Sequence, residues 1–141
     1  MTTLIKKELT LITLGGQKSP HGNLFYWENK ELFPFGIQRC FWINEVSGDN
    51  SRGNHAHWEE SQVLVAVHGS VEVLVHEPGE AKRKFTLDHP EKGLFVPPLH
   101  WVETRFEEGA VLLGLSDREF SEQDYIRDIQ DFENLQKGNH R

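Results

Sequence analysis

The sequence predicts an all-β chain, a sandwich or barrel of short strands with one short C-terminal α-helix. Three observations carry this. Short apolar runs recur between turn signals, with Val63-Leu64-Val65-Ala66-Val67 the most β-branched of them. Glycine and proline pairs punctuate the chain between those runs. After Ser121 the apolar period changes from strand-like to helical.

Candidate strands follow in order. Leu4–Thr13 alternates polar and apolar residues, and Asn23–Glu28 and Phe35–Glu45 come next. Gln62–Val67 and Val71–His76 are joined by His68-Gly69-Ser70, a tight hairpin in which Gly69 takes positive φ. Arg83–Leu87, Leu94–Val96, Trp101–Phe106 and Val111–Leu115 complete the set, separated in part by Pro78-Gly79, His89-Pro90 and Pro97-Pro98. Ser121-Glu122-Gln123-Asp124 has the form of a capping box, and Tyr125, Ile129 and Phe132 recur at helical spacing. A helix from about Glu122 to Leu135, packed across the barrel, is expected. The chain is read as one domain over residues 1–136, with residues 137–141 a disordered tail.

Composition sets limits. The chain has 141 residues, 37% hydrophobic and 11% aromatic, enough for a core without metal or disulfide staples. Cys40 is the only cysteine and is expected to be a small buried hydrophobe. With 22 acidic against 15 basic residues and a formal charge of −7, nonspecific nucleic-acid binding is not expected. A diphosphate ligand needs only one or two placed arginines, and Arg39 and Arg52 both lie in poorly charged neighbourhoods. Residues 1–13 hold no continuous apolar run of signal-peptide type, and no stretch approaches a membrane span. A cytoplasmic protein is expected.

The run Ser51-Arg52-Gly53-Asn54-His55-Ala56-His57 carries the chemistry. Histidines two apart project to one side of an extended chain, so a barrel can hold both imidazoles side by side. Such a pair suits metal binding or proton transfer. His-x-His on a barrel strand suggests the cupin architecture, whose metal sites add a glutamate and a third histidine. Here Gln62 best matches the glutamate slot and Glu103 falls in the histidine slot; a neutral amide is a weak ligand. A site of His55, His57 and Glu103 stays formally open, with Glu59 or Glu60 also able to reach the pair. In the acid–base reading, two imidazoles serve a carbon-bound proton and a neighbouring oxygen of one substrate.

The run Arg39-Cys40-Phe41-Trp42-Ile43, followed by Ser51 to His57, resembles the dTDP-4-keto-6-deoxyglucose 3,4-ketoisomerases of the cupin superfamily. The resemblance continues through Gln62-Val63-Leu64-Val65, Gly69-Ser70, Gly93-Leu94-Phe95-Val96-Pro97-Pro98 and Trp101, and ends with Ser116-Asp117 and Asp124-Tyr125-Ile126-Arg127. It implies a cupin jelly-roll barrel and a homodimer with exchanged N-terminal strands. It implies a metal-free isomerase, without cofactor, that moves the ketone of a dTDP-linked 4-keto-6-deoxyhexose from C4 to C3. The family supplies precursors of 3-amino-3,6-dideoxy sugars for bacterial surface polysaccharides.

By the same resemblance His57 is the base at carbon and His55 its partner near the oxygens, with Arg52 and Arg39 on the diphosphate or the enediolate. Trp101 and Trp42 are candidates to stack on the base, Gln62 to contact substrate, and Glu103 to hold a histidine tautomer. Phe41-Trp42 stands where relatives often carry tyrosines, and His21-Gly22 where they carry Arg-Gly. His21 is therefore a candidate for the proton transfer that a tyrosine performs elsewhere. The alternatives are a non-catalytic nucleotide-sugar-binding cupin and a metal-dependent cupin enzyme.

Overall fold

The computed structural model describes residues 7–47 and 51–136. Its strands are β1 Thr10–Thr13, β2 Gly15–Ser19, β3 Gly22–Tyr26, β4 Arg39–Ile43, β5 Ser51–His57 and β6 Gln62–His68. They continue as β7 Val71–His76, β8 Arg83–Leu87, β9 Lys92–Val96, β10 Trp101–Phe106, β11 Val111–Ser116 and β12 Tyr125–Ile126, before helix α1, Ile129–Gln136. Two five-stranded antiparallel sheets face each other, ordered β1-β9-β6-β11-β4 and β12-β5-β10-β7-β8, and β2-β3 forms a separate hairpin. This is the jelly-roll barrel.

Alternation explains the core. Leu64 and Ala66 of β6, Leu94 and Val96 of β9 and Leu112 of β11 point inward to meet Val71, Val73 and Val75 of β7 and Leu87 of β8. The outward residues of β6, Val63 and Val65, are also buried, under Phe33 from the loop after β3. Burial on both faces is why β6 reads as an unbroken apolar run. On the opposite side, α1 lays Phe132 against Trp101, Ala56 and Ile126.

Several expectations change. The predicted helix from Glu122 to Leu135 divides into a 3-10 turn at Glu122–Asp124, the extended pair Tyr125–Ile126, and α1. Pairing with β5 (Tyr125 opposite His57, Ile126 opposite Ala56) stretches the chain where a helix was expected. Ser121 makes no side-chain cap bond. Asp128 serves α1 instead, its Oδ1 accepting the Gln130 N–H at 2.7 Å. The strand expected over Leu4–Thr13 is confined to Thr10–Thr13, with residues 4–6 outside the described residues, as is the tail 137–141. Phe35–Glu45 shortens to β4, and the structure adds a strand with no counterpart among the expected ones, β2, paired with β3. Cys40 is exposed, because Arg39, Phe41 and Ile43 take the inward positions of β4 and leave Cys40 and Trp42 outside.

Gly114 on β11 sits opposite Phe41 on β4. A Cβ there would lie 2.1 Å from the Phe41 ring, so glycine is what lets the ring lie flat across the strand. Gly114→Val is expected to destabilise the fold by about 1–3 kcal/mol through overpacking, read as a lower denaturation midpoint in urea. An unchanged midpoint would show that Phe41 repacks freely.

Candidate active site

The β7–β8 end of the barrel is filled by core side chains, and the other end holds a cavity of about 350 Å³. Both sheets line it: Arg39, Phe41, Ile43, Gln62, Leu64 and Leu112 from one, and Arg52, Gly53, His55, Val102, Thr104, Tyr125 and Arg127 from the other. One wall is thus apolar, and three arginines stand on the rest. Two of the three are ion-paired, Arg39 with Glu60 at 2.9 Å and Arg127 with both oxygens of Glu122 at 2.5 and 2.9 Å, so an anion would meet Arg52 first and share Arg127 with Glu122.

A bulge assembles the β5 side. Strict alternation would send Arg52 and His55 to opposite faces. Gly53 (φ +91°) and Asn54 (φ +57°) bulge where the register with β10 shifts between Val102 and Glu103, so both side chains line the cavity. A Cβ on Gly53 would come 2.8 Å from the Val102 carbonyl oxygen. Only glycine fits.

The two imidazoles stand edge to face, with ring centroids 5.0 Å apart. Tyr125, brought in by β12, lies against both, at 5.0 Å from His55 and 4.3 Å from His57. His55 Nδ1 is 3.0 Å from the Gly53 carbonyl, which can only accept, so the proton sits on Nδ1 and Nε2 is bare. His57 is set one step behind, 7% exposed. Its Nδ1 lies 3.5 Å from Asp124 Oδ2 and its Nε2 lies 3.5 Å from Glu60 Oε2. These contacts are long for hydrogen bonds and can tighten once the ring is charged.

Burial pushes both imidazoles down from the ordinary 6.5 to about 4. For His55 the neighbouring His57 adds to the fall. For His57 the Asp124 carboxylate opposes it and Arg39 reinforces it. Both rings are therefore neutral near pH 7 and able to accept a proton. Burial raises the Glu60 carboxyl above its ordinary value, and Gln62 and Arg39 partly offset this.

The carboxylates are heavily used. Asp124 accepts the backbone N–H groups of Glu59 at 2.8 Å and Glu60 at 3.0 Å. Arg39 Nη2 bridges both Glu60 oxygens at 3.0 and 2.9 Å. His57, Glu60 and Asp124 lie close enough together to hold a metal ion. Such an ion would have to compete with the Arg39 guanidinium for Glu60 and with two amides for Asp124.

Of the residues expected from sequence, His55, His57, Arg52, Arg39 and Gln62 are brought together. Trp101 is not. It is 4% exposed and packs on Phe132 at 5.6 Å, because the cavity takes Val102 and Thr104 and leaves the alternate residues of β10 on the outer face. Glu103 shares that outer face, accepting from Trp101 Nε1 at 3.4 Å, and so is neither a ligand nor a partner of the histidines. Trp42 is 67% exposed and points away. His21 lies in the β2–β3 turn, and neither strand lines the cavity. Tyr125, Arg127 and Asp124 had no assigned roles in the sequence reading. An extended Tyr-x-Arg puts both side chains on one face, the signal that the helical spacing concealed.

The family model FdtA (WxcM-like, C-terminal) matches residues 7–137. The chain is 37% identical over 112 residues to TDP-4-oxo-6-deoxy-α-D-glucose-3,4-oxoisomerase of Aneurinibacillus thermoaerophilus, covering 79% of this chain and 80% of that protein. The crystal structure of QdtA, a sugar 3,4-ketoisomerase from Thermoanaerobacterium thermosaccharolyticum in complex with TDP, superposes with a TM-score of 0.85 at 35% identity. That match covers 92% of this chain and 95% of QdtA. A histidine-to-asparagine mutant of QdtA in complex with TDP-4-keto-6-deoxyglucose gives 0.86 at 33% identity, over 95% of this chain and 97% of the mutant.

In an NMR titration neither His55 nor His57 is expected to protonate between pH 8 and 5.5, with midpoints near 4. Asp124→Asn should lower the His57 midpoint further, since the lost carboxylate favoured the imidazolium. Midpoints near 6.5 would contradict the buried, neutral pair. The linkage sign follows: histidine burial contributes most to stability above pH 6.5, and that contribution is lost as pH falls toward 4. Glu60, shifted the other way, subtracts from it.

Proposed function

Because this chain belongs to the FdtA family (WxcM-like, C-terminal), we propose that it works as a nucleotide-sugar 3,4-ketoisomerase whose protons are moved by His57 and His55. The activity is that of relatives matched over most of the chain. The substrate is a TDP-linked 4-keto-6-deoxyhexose, as in the QdtA mutant complex. The observation that carries the residue assignment is the pair of neutral imidazoles walled by Tyr125 and three arginines.

The C4 ketone acidifies the proton on C3. His57 Nε2 takes that proton, the C3–H electron pair forms the C3–C4 double bond, and negative charge collects on O4. Asp124 steadies the resulting imidazolium through Nδ1. His55, with Nε2 bare, receives the O3–H proton and passes it to O4. As O3 becomes the carbonyl, the double-bond electrons take the proton from His57 at C4. Atoms and electrons balance with no oxidant.

The phenol of Tyr125, beside both rings, is placed to donate to a ring oxygen substituent, a role that His21 was expected to fill. Arg52 is the cavity arginine suited to the diphosphate, with Arg127 able to join it by exchanging its exposed partner Glu122 for a phosphate oxygen. Arg127 stacks on Tyr125, its guanidinium carbon 4.1 Å from the ring centroid. The apolar wall excludes water from the enediolate.

Self-association is part of the same reading. Leu14, Phe25, Val65, Val67, Leu113 and Leu115 line an apolar groove outside the first sheet, beside the exposed Leu24 and Tyr26 of the hairpin. A second copy exchanging its N-terminal strands is the proposed occupant. Tyr26→Asp together with Leu24→Asp should lower the mass measured by light scattering from dimer to monomer. A monomeric wild-type protein would contradict it.

With TDP-4-keto-6-deoxyglucose in D2O, the 3-keto isomer should form and carry deuterium at C4 to the extent that the proton on His57 exchanges with solvent before it is returned. His57→Asn should lose about 10²–10⁴ of the rate while keeping TDP affinity within a few-fold. No label and no isomer with wild-type enzyme would leave only a binding protein.

A further inference from the structure

Gln62 bridges Glu60 and His57 at the back of the cavity. Its side chain extends inward from β6, nearly buried. The amide nitrogen donates to Glu60 Oε2 in a very short contact. The same nitrogen lies 3.4 Å from His57 Nε2. Glu60 is itself fixed by Arg39, whose guanidinium carbon sits 5.3 Å from the Phe41 ring centroid and 5.6 Å from that of Phe120.

We propose that Gln62, anchored by the Arg39–Glu60 pair, is a positioning residue that sets the tautomer of His57. An amide nitrogen has two hydrogens and no acceptor capacity. One hydrogen goes to Glu60, and the other is directed at His57 Nε2. Turning the amide over would press its oxygen against a carboxylate oxygen, so the orientation is fixed. The neutral ring must then carry its proton on Nδ1, where Asp124 Oδ2 stands 3.5 Å away to receive it. The opposite tautomer could offer its Nε2–H to Glu60 Oε2, 3.5 Å away, but that oxygen is already taken by Arg39 and Gln62, the amide hydrogen opposes it, and an Nδ1 lone pair is left facing Asp124.

This role rests on His57 being the base at carbon and deepens it. A bare Nε2 is the state in which a ring can take a proton; at 3.4 Å the Gln62 contact is long, and it is released when the substrate C3–H takes its place at the Nε2 lone pair. Arg39 then acts through Glu60 rather than on the diphosphate, unlike the expectation from sequence.

Full-length protein labelled with 15N-histidine, read by long-range 15N–1H correlation at pH 7, tests it. In wild type His57 should show a protonated Nδ1 and a bare Nε2. Gln62→Met should give mixed tautomers and lower kcat about 10–100-fold with KM within about twofold. Glu60→Gln, which keeps the volume but weakens the anchor, should move the tautomer the same way and serves if Gln62→Met does not fold. An unchanged tautomer in the folded variants would overturn the proposal. So would a raised KM with kcat retained, the mark of a substrate ligand. A tautomer set by Gln62 in an enzyme that fails to isomerise the sugar would support this role and overturn the assigned reaction.

Discussion

The two-residue pairing of β12 with β5 is the contact on which the site depends. By laying Tyr125 opposite His57 it brings a carboxylate, a phenol and a guanidinium to the histidine pair from a segment nearly 70 positions away in sequence. Asp124 then does two jobs. Its oxygens tie down the backbone of Glu59 and Glu60, and one of them faces His57 Nδ1. The loop after β5 and the orientation of its last histidine are held by one side chain.

Burial makes the pair useful and limits it. A fall from 6.5 to about 4 corresponds to roughly 3 kcal/mol against the imidazolium. That keeps the bases free at neutral pH but weakens them. The Asp124 carboxylate returns part of the lost basicity to His57, and the Gly53 carbonyl returns part to His55. Both rings end near 4, but the group that opposes the fall differs, a carboxylate at His57 and the Gly53 carbonyl at His55. Glu60 would add more negative charge beside His57 were it not spanned by Arg39.

Local pattern was legible where local physics decides. The β6–β7 hairpin follows from Gly69, whose φ is +72°, and the face shared by His55 and His57 follows from alternation. Arg52 joins them through the Gly53-Asn54 bulge, which residue-by-residue alternation does not reveal. Motif spacing puts Glu103 in a ligand slot and the indole of Trp101 makes that residue a stacking candidate, whereas the observed register of β10 gives the cavity to Val102 and Thr104. The segment after Ser121 was misread because Tyr125, Ile129 and Phe132 fit a helix. Long-range pairing with β5 overrode that local preference, and with it went the signal for Tyr125 and Arg127.

The most direct test is a crystal structure of the His57→Asn variant with TDP-4-keto-6-deoxyglucose bound. C3 of the sugar should lie within about 3.5 Å of the residue 57 side chain, with the diphosphate on Arg52 and Arg127 and Arg39 still on Glu60. A sugar ring seated away from residue 57, or Arg39 withdrawn from Glu60 onto the phosphates, would contradict the account.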